Sequence, residues 1–103
     1  MKNNNIGIAY FTNPGIEGDA FGKEVDGIMT SLARELPVRK INSDYEVTIV
    51  EQLKPQNLPS VIFTDNSGKL EHIRIEGIKL QGATVAKLKE TYNAIREYNK
   101  TNG

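Results

Sequence analysis

Apolar positions along this 103-residue chain fall into two spacings, one nearly continuous and one helical. The run Ile6-Gly7-Ile8-Ala9-Tyr10-Phe11 is almost wholly apolar and closes in Thr12-Asn13-Pro14-Gly15. A short apolar run bounded by turn residues predicts a buried, central strand. From Asp19 to Leu36 the apolar residues Phe21, Val25, Ile28, Met29, Leu32 and Leu36 recur at helical spacing, with Lys23, Glu24, Asp26, Arg34 and Glu35 between them. This pattern predicts an amphipathic helix. Asp19 is a good N-cap type, and Pro37 disfavours helix at the residue before it.

Val38-Arg39-Lys40-Ile41 reads as a second strand, its charged pair tolerated near an end or an edge. Ser43-Asp44-Tyr45-Glu46 has the spacing of a capping box. Together with the Ile49 to Leu53 and Val47 to Val50 spacings, it predicts that Val47–Leu53 is helical despite a β-branched composition that taken alone favours strand. Ser60–Thr64 and Leu70–Ile75 flank the polar stretch Asp65-Asn66-Ser67-Gly68-Lys69 and predict a β-hairpin. In its second strand, Ile73 and Ile75 share one face while Leu70, His72 and Arg74 share the other. After Gly77 and Gly82, Thr84 is placed to cap a last helix with the apolar stripe Val85, Leu88, Tyr92 and Ile95. Tyr98 is expected to be exposed, and the residues from Tyr98 to Gly103 are expected to fray.

Composition narrows the function classes. The length suits one domain spanning residues 1–103, and 38% hydrophobic with 25% charged residues lies in the globular range. Thirteen basic against thirteen acidic residues argues against counterion-release binding to nucleic acid. The first apolar run is too short for a membrane span or a signal sequence, so a cytoplasmic protein with no membrane partner is expected. The Asn- and Lys-rich composition is compatible with a low-GC bacterial or phage source.

With no cysteine, the chain has no thiolate for dithiol exchange. A single histidine, His72, supports neither a His-rich metal site nor a Ser-His-Asp arrangement. Gly15-Ile16-Glu17-Gly18 lacks the Lys-Ser/Thr of a phosphate-binding loop. No metal and no cofactor is therefore expected. Glu17 and Asp19 are an acidic pair, but a flexible Gly-containing loop is poor support for acid–base chemistry.

The order βαβα, hairpin, α resembles the thioredoxin fold in its minimal form, and the resemblance covers nearly the whole chain. Tyr10-Phe11 followed by Asn13-Pro14 is similar to that family's aromatic strand end and its Ala-Pro turn. Leu58-Pro59-Ser60-Val61-Ile62-Phe63 resembles its Ile-Pro-Thr strand, Gly68-Lys69 its hairpin turn, and Ile75-Glu76-Gly77 the end of its last strand. Gly27 falls where the family's first helix is kinked by proline. The resemblance implies an α/β architecture, with a central mixed four-stranded sheet flanked by three helices, and a cis bond before Pro59. The departure is the active-site stretch. Where the family carries Trp-Cys-Gly-Pro-Cys, this chain has Gly15-Ile16-Glu17-Gly18-Asp19-Ala20-Phe21-Gly22. Asp19 then falls near the nucleophilic cysteine's place and Gly22 near the resolving one's.

The resemblance further implies that a client segment lies against the residue before Pro59, framed by the active-site loop and the loop after the last strand. Carried onto this sequence, the binding positions are Asn13, Pro14, Gly15, Ile16, Glu17, Gly18, Asp19, Leu58, Pro59, Gly77 and Ile78. Such a groove can outlast its thiols, because strand-like recognition rests on main-chain hydrogen bonds and side-chain pockets. A redox-inactive, non-enzymatic module that binds another protein is the leading expectation. Glu17 and Asp19 give it two readings: Asp19 as a plain N-cap, or an anionic tip facing a basic partner group. The alternatives are a small-molecule or glutathione-type binder or a non-thiol enzyme on the same scaffold, with only Lys54 and Lys79 to offer positive charge. A contact through a sheet edge at Val38–Ile41 or Leu70–Ile75 also stays open.

Overall fold

The computed structural model describes residues 6–65 and 71–102. Four strands, β1 (Ile6–Thr12), β2 (Val38–Asn42), β3 (Ser60–Asp65) and β4 (Glu71–Glu76), form one sheet in the order β2-β1-β3-β4. β1 runs parallel to β2 and antiparallel to β3, and β3 runs antiparallel to β4. The strand read as central is flanked on both sides, and Val38–Ile41 lies in an edge strand, as its charged pair suggests. The hairpin is present, while residues 66–70 of its connection, including Leu70, lie outside the described residues, as does the side chain of His72.

Side-chain alternation divides the core between the two faces of the sheet. Ile6, Ile8 and Tyr10 of β1 and Val61 and Phe63 of β3 point to one face. There they pack against Val25, Met29 and Leu32 of α2 (Ala20–Leu32) and Leu88, Tyr92 and Ile95 of α4 (Val85–Asn102). Ala9, Phe11, Ile41 and Ile62 point the other way, against Leu53, Ile49 and Val50 of α3 (Val47–Leu53). Burial of α3 on this second face overrides the strand preference of its β-branched residues.

Two helix ends differ from the sequence reading. α2 stops at Leu32 rather than near Pro37. Its chain tightens there, with the Arg34 and Glu35 amides donating to carbonyls three residues back. This turn lets Leu36 reach the core before Pro37. α4 runs on to Asn102, well past the Ile95 end of its apolar stripe and through residues expected to fray. The Thr84 cap is present: its Oγ1 accepts from the Lys87 amide at 3.1 Å. Tyr92 is core and Tyr98 exposed.

The capping box is not formed. Glu46 is the N-cap residue and makes no side-chain cap bond. Its carboxylate instead accepts from the Asn42 amide at 3.1 Å and from the Arg39 guanidinium at 2.8 Å. The chain enters α3 through an Asx turn, in which Asn42 Oδ1 accepts from the Asp44 amide at 2.9 Å.

Candidate functional site

All eleven positions expected to bind lie at or beside one end of the sheet, where β1 and β4 finish and β3 begins. Phe11 is in register with Ser60, and Ser60 with Glu76, which sets Asn13, Pro59 and Gly77 at the ends of three adjacent strands. The Gly77 amide donates to the Pro59 carbonyl at 2.8 Å and fixes the last two together. Leu58–Pro59 is a cis peptide. Gly77 has φ +56° and stands so close to Asn57 that a Cβ would meet the Asn57 Cβ at 2.9 Å. Both conditions select glycine.

Beyond Gly77, a 3₁₀ turn (Gly77–Leu80) absent from the sequence reading buries Leu80 and leaves Ile78 73% exposed. An apolar side chain at a helical turn whose partner Leu80 goes inward gives no sequence signal for which of the two faces water.

The stretch from Asn13 to Asp19 is not the flexible loop its glycines suggested. It folds as a one-turn helix, α1 (Pro14–Glu17). Asn13 Oδ1 accepts from the Ile16 amide at 2.9 Å, and Pro14 stands at the first helical position, where its missing N–H costs nothing. α1 then packs on α2 through Gly22, whose absent side chain admits the Ile16 carbonyl. The signal was in the sequence, since Asn-Pro is a cap followed by a favoured first residue, but its use as a helix start was missed.

The two carboxylates have separate jobs. Asp19 caps α2, its Oδ2 accepting from the Phe21 amide at 3.2 Å. Glu17 is engaged inward: its Oε1 accepts from Lys40 Nζ at 2.7 Å. The same ammonium lies 3.0 Å from Asp26 Oδ1, which also accepts the Tyr10 hydroxyl at 3.0 Å. Lys40 of β2 thus links α1 to α2, and the anionic tip reduces to Asp19. Hydrogen bonds to Glu17 and Asp26 raise the Lys40 ammonium above its ordinary pKa. Burial, then the bond to Asp26, raises the Tyr10 phenol strongly. Thr12, at the end of the same strand face, is buried, its hydroxyl close enough to Tyr10 to oppose that rise slightly.

A second polar cluster braces the other side of this sheet end. Arg74 donates to the carbonyls of Leu53 at 2.6 Å and Lys54 at 3.1 Å, where α3 ends, and pairs with Glu76 at 2.9 Å. Glu76 Oε2 also accepts from the Gln56 amide at 3.0 Å and Ser60 Oγ at 3.3 Å. Lys54 takes a left-handed φ of +50° at the end of the helix, and its carbonyl is held by that arginine. The segment leading to Leu58-Pro59 is therefore anchored by side chains that the sequence reading had not singled out. Among the described residues no group of three or more His, Asp or Glu side chains is placed to hold a metal. No helix among them is long and apolar enough to cross a membrane.

No protein-family model and no curated protein matches the chain. Solved structures do. A point mutant of thioredoxin from Halobacterium salinarum is 13% identical with a TM-score of 0.67, covering 88% of this chain and 74% of that one. Deadhead, a germline-specific thioredoxin from Drosophila melanogaster, is 20% identical with a TM-score of 0.64, covering 89% and 82%. Thioredoxin 1 from Thermosipho africanus is 18% identical with a TM-score of 0.60, covering 92% and 96%. The chain has a thioredoxin-like fold, with a mixed four-stranded sheet flanked by helices, and it has no cysteine. The thiol–disulfide exchange of thioredoxins is thereby ruled out.

Proposed function

We propose that this protein is a non-catalytic thioredoxin-fold module that binds another protein at the sheet end formed by Asn13–Asp19, Leu58-Pro59 and Gly77-Ile78. The observation that carries the reading is the exposed Ile78 side chain beside a backbone platform held rigid by the Gly77–Pro59 hydrogen bond. A rigid platform lowers the ordering cost of binding, and an exposed apolar side chain at its rim supplies contact area. Lys40 is shared between Glu17 and Asp26, and Asp19 is used as the α2 cap, so neither site carboxylate is set aside for a partner. Recognition by this surface is therefore apolar and main-chain in character rather than ionic.

The test is affinity capture from the cells that make the protein, comparing wild type with Ile78→Arg. Ile78 is the better choice of variant than Ile16, because Ile16 is half-buried against Gly22 and its replacement would disturb α1. A partner held by wild type and lost with Ile78→Arg supports the reading. Partners retained by both proteins place the contact elsewhere.

A further inference from the structure

Between the outer strand β4 and the first turns of α4 the surface opens into a groove of about 260 Å³. Its floor is apolar, formed by Ile75, Ala83 and Leu88, and Lys79 and Lys87 line it as well, with Thr91 further along α4. The sequence around it runs against local helix stability. Lys87 lies in the first turn of α4, where a cation opposes the helix dipole, and that turn contains no acidic residue. Among the described residues no carboxylate lies within ion-pairing distance of Lys79 or Lys87, whereas Lys40 and Lys89 are both paired. In a chain of zero formal charge this is a local excess of positive charge over an apolar floor.

We propose that the groove seats an acidic amphipathic peptide segment of a partner protein, with apolar side chains on Ile75, Ala83 and Leu88 and carboxylates against Lys79 and Lys87. Its size favours a peptide over a small molecule: pockets that enclose drug-sized ligands run from about 300 to 1,000 Å³ and cover most of the ligand. A shallow, open groove of this volume instead takes one or two side chains of a longer segment, whose remaining contacts lie outside it. The carboxylates gain from both ammonium groups and from the N-terminal end of α4. Ile78 precedes Lys79 in the same 3₁₀ turn but does not line the groove, so the sheet-end reading and this one are tested by different variants and either can fail without the other.

The experiment titrates the ¹⁵N-labelled full chain with a short synthetic peptide in which two leucines alternate with acidic residues. A counterpart carries lysines in the acidic places. The acidic peptide is expected to shift the amides of Lys79, Ala83, Lys87 and Leu88. Lys79→Glu combined with Lys87→Glu is expected to weaken the acidic peptide by about tenfold or more and to make the basic peptide the better ligand. Lys87→Met, which keeps the apolar stem, gives an intermediate loss. Absence of shifts at the groove, or equal binding of the two peptides, overturns the proposal. So does dodecanoate moving these amides when the acidic peptide does not, since that outcome assigns the groove to a lipid-like anion.

Discussion

Gly22 and Ile16 meet backbone to backbone: a Cβ on Gly22 would stand 1.8 Å from the Ile16 carbonyl oxygen and 2.6 Å from its carbon. Neither atom is the end of a flexible side chain, so α1 can lie on α2 only with glycine at this position. A side chain at this position conflicts with the way α1 packs on α2.

Gly22→Ala is accordingly expected to destabilise the protein by about 1–3 kcal/mol, the usual range for overpacking, although alanine is the better helix former. Gly27→Ala in the same helix is the matched control. It meets nothing within 4 Å and should stabilise by roughly 0.5–1 kcal/mol. Urea denaturation midpoints of the two variants should move in opposite directions, and movement in the same direction refutes the steric account.

Removing the α1 cap should have a local rather than a global effect. Asn13→Ala loses the bond to the Ile16 amide, a change worth about 1 kcal/mol. Hydrogen exchange at the Glu17 and Gly18 amides, which donate to Asn13 and Pro14 carbonyls, should accelerate while amides of α4 keep their protection.

Alkaline pH should weaken the fold through Tyr10 and Lys40. Both hold their protons more tightly folded than unfolded, Tyr10 chiefly by burial and Lys40 chiefly through its bond to Glu17. A raised folded pKa contributes stability that is complete below the unfolded value, near pH 10 for both groups, and is lost as pH rises through the folded value. Melting temperature should therefore fall above about pH 10. Tyr10→Phe should be less stable at neutral pH by about 1 kcal/mol, yet show a shallower alkaline decline. An unchanged decline would assign the alkaline sensitivity to other groups.

The Arg74 cluster should matter more than an ordinary surface pair. The Arg74 and Glu76 side chains are only 26% and 12% exposed, and the arginine also holds the last carbonyls of α3. Arg74→Met removes the cationic partner of a largely buried carboxylate and the donor to the part-buried Leu53 carbonyl. A loss of about 2–3 kcal/mol is expected by equilibrium unfolding. Arg39→Met, removing an exposed pair with Glu46, should cost less than about 1 kcal/mol.

The order of the four strands and of α2, α3 and α4 was legible in the chain, although α1 and the 3₁₀ turn were not, because the stripes Val25-Met29-Leu32 and Leu88-Tyr92-Ile95 and the run Ile6–Phe11 are periodic signals carried by near neighbours. The sequence by itself also excluded thiol chemistry by the absence of cysteine. Helix α3 was legible in the Ile49-to-Leu53 spacing, whose side chains pack together on the far face of the sheet, but not in its capping box, because Glu46 turns to Asn42 and Arg39. Tertiary structure alone decided that Lys40 would bridge Glu17 and Asp26, that Ile16 would require Gly22, and that Arg74 would hold the end of α3. It also decided that Ile78 would face water while Leu80 turned inward. Most of these pairings join residues well apart along the chain, and the strength of each depends on distance and burial. Local spacing encodes neither, so they exist only once the sheet has brought its edges and helix ends together.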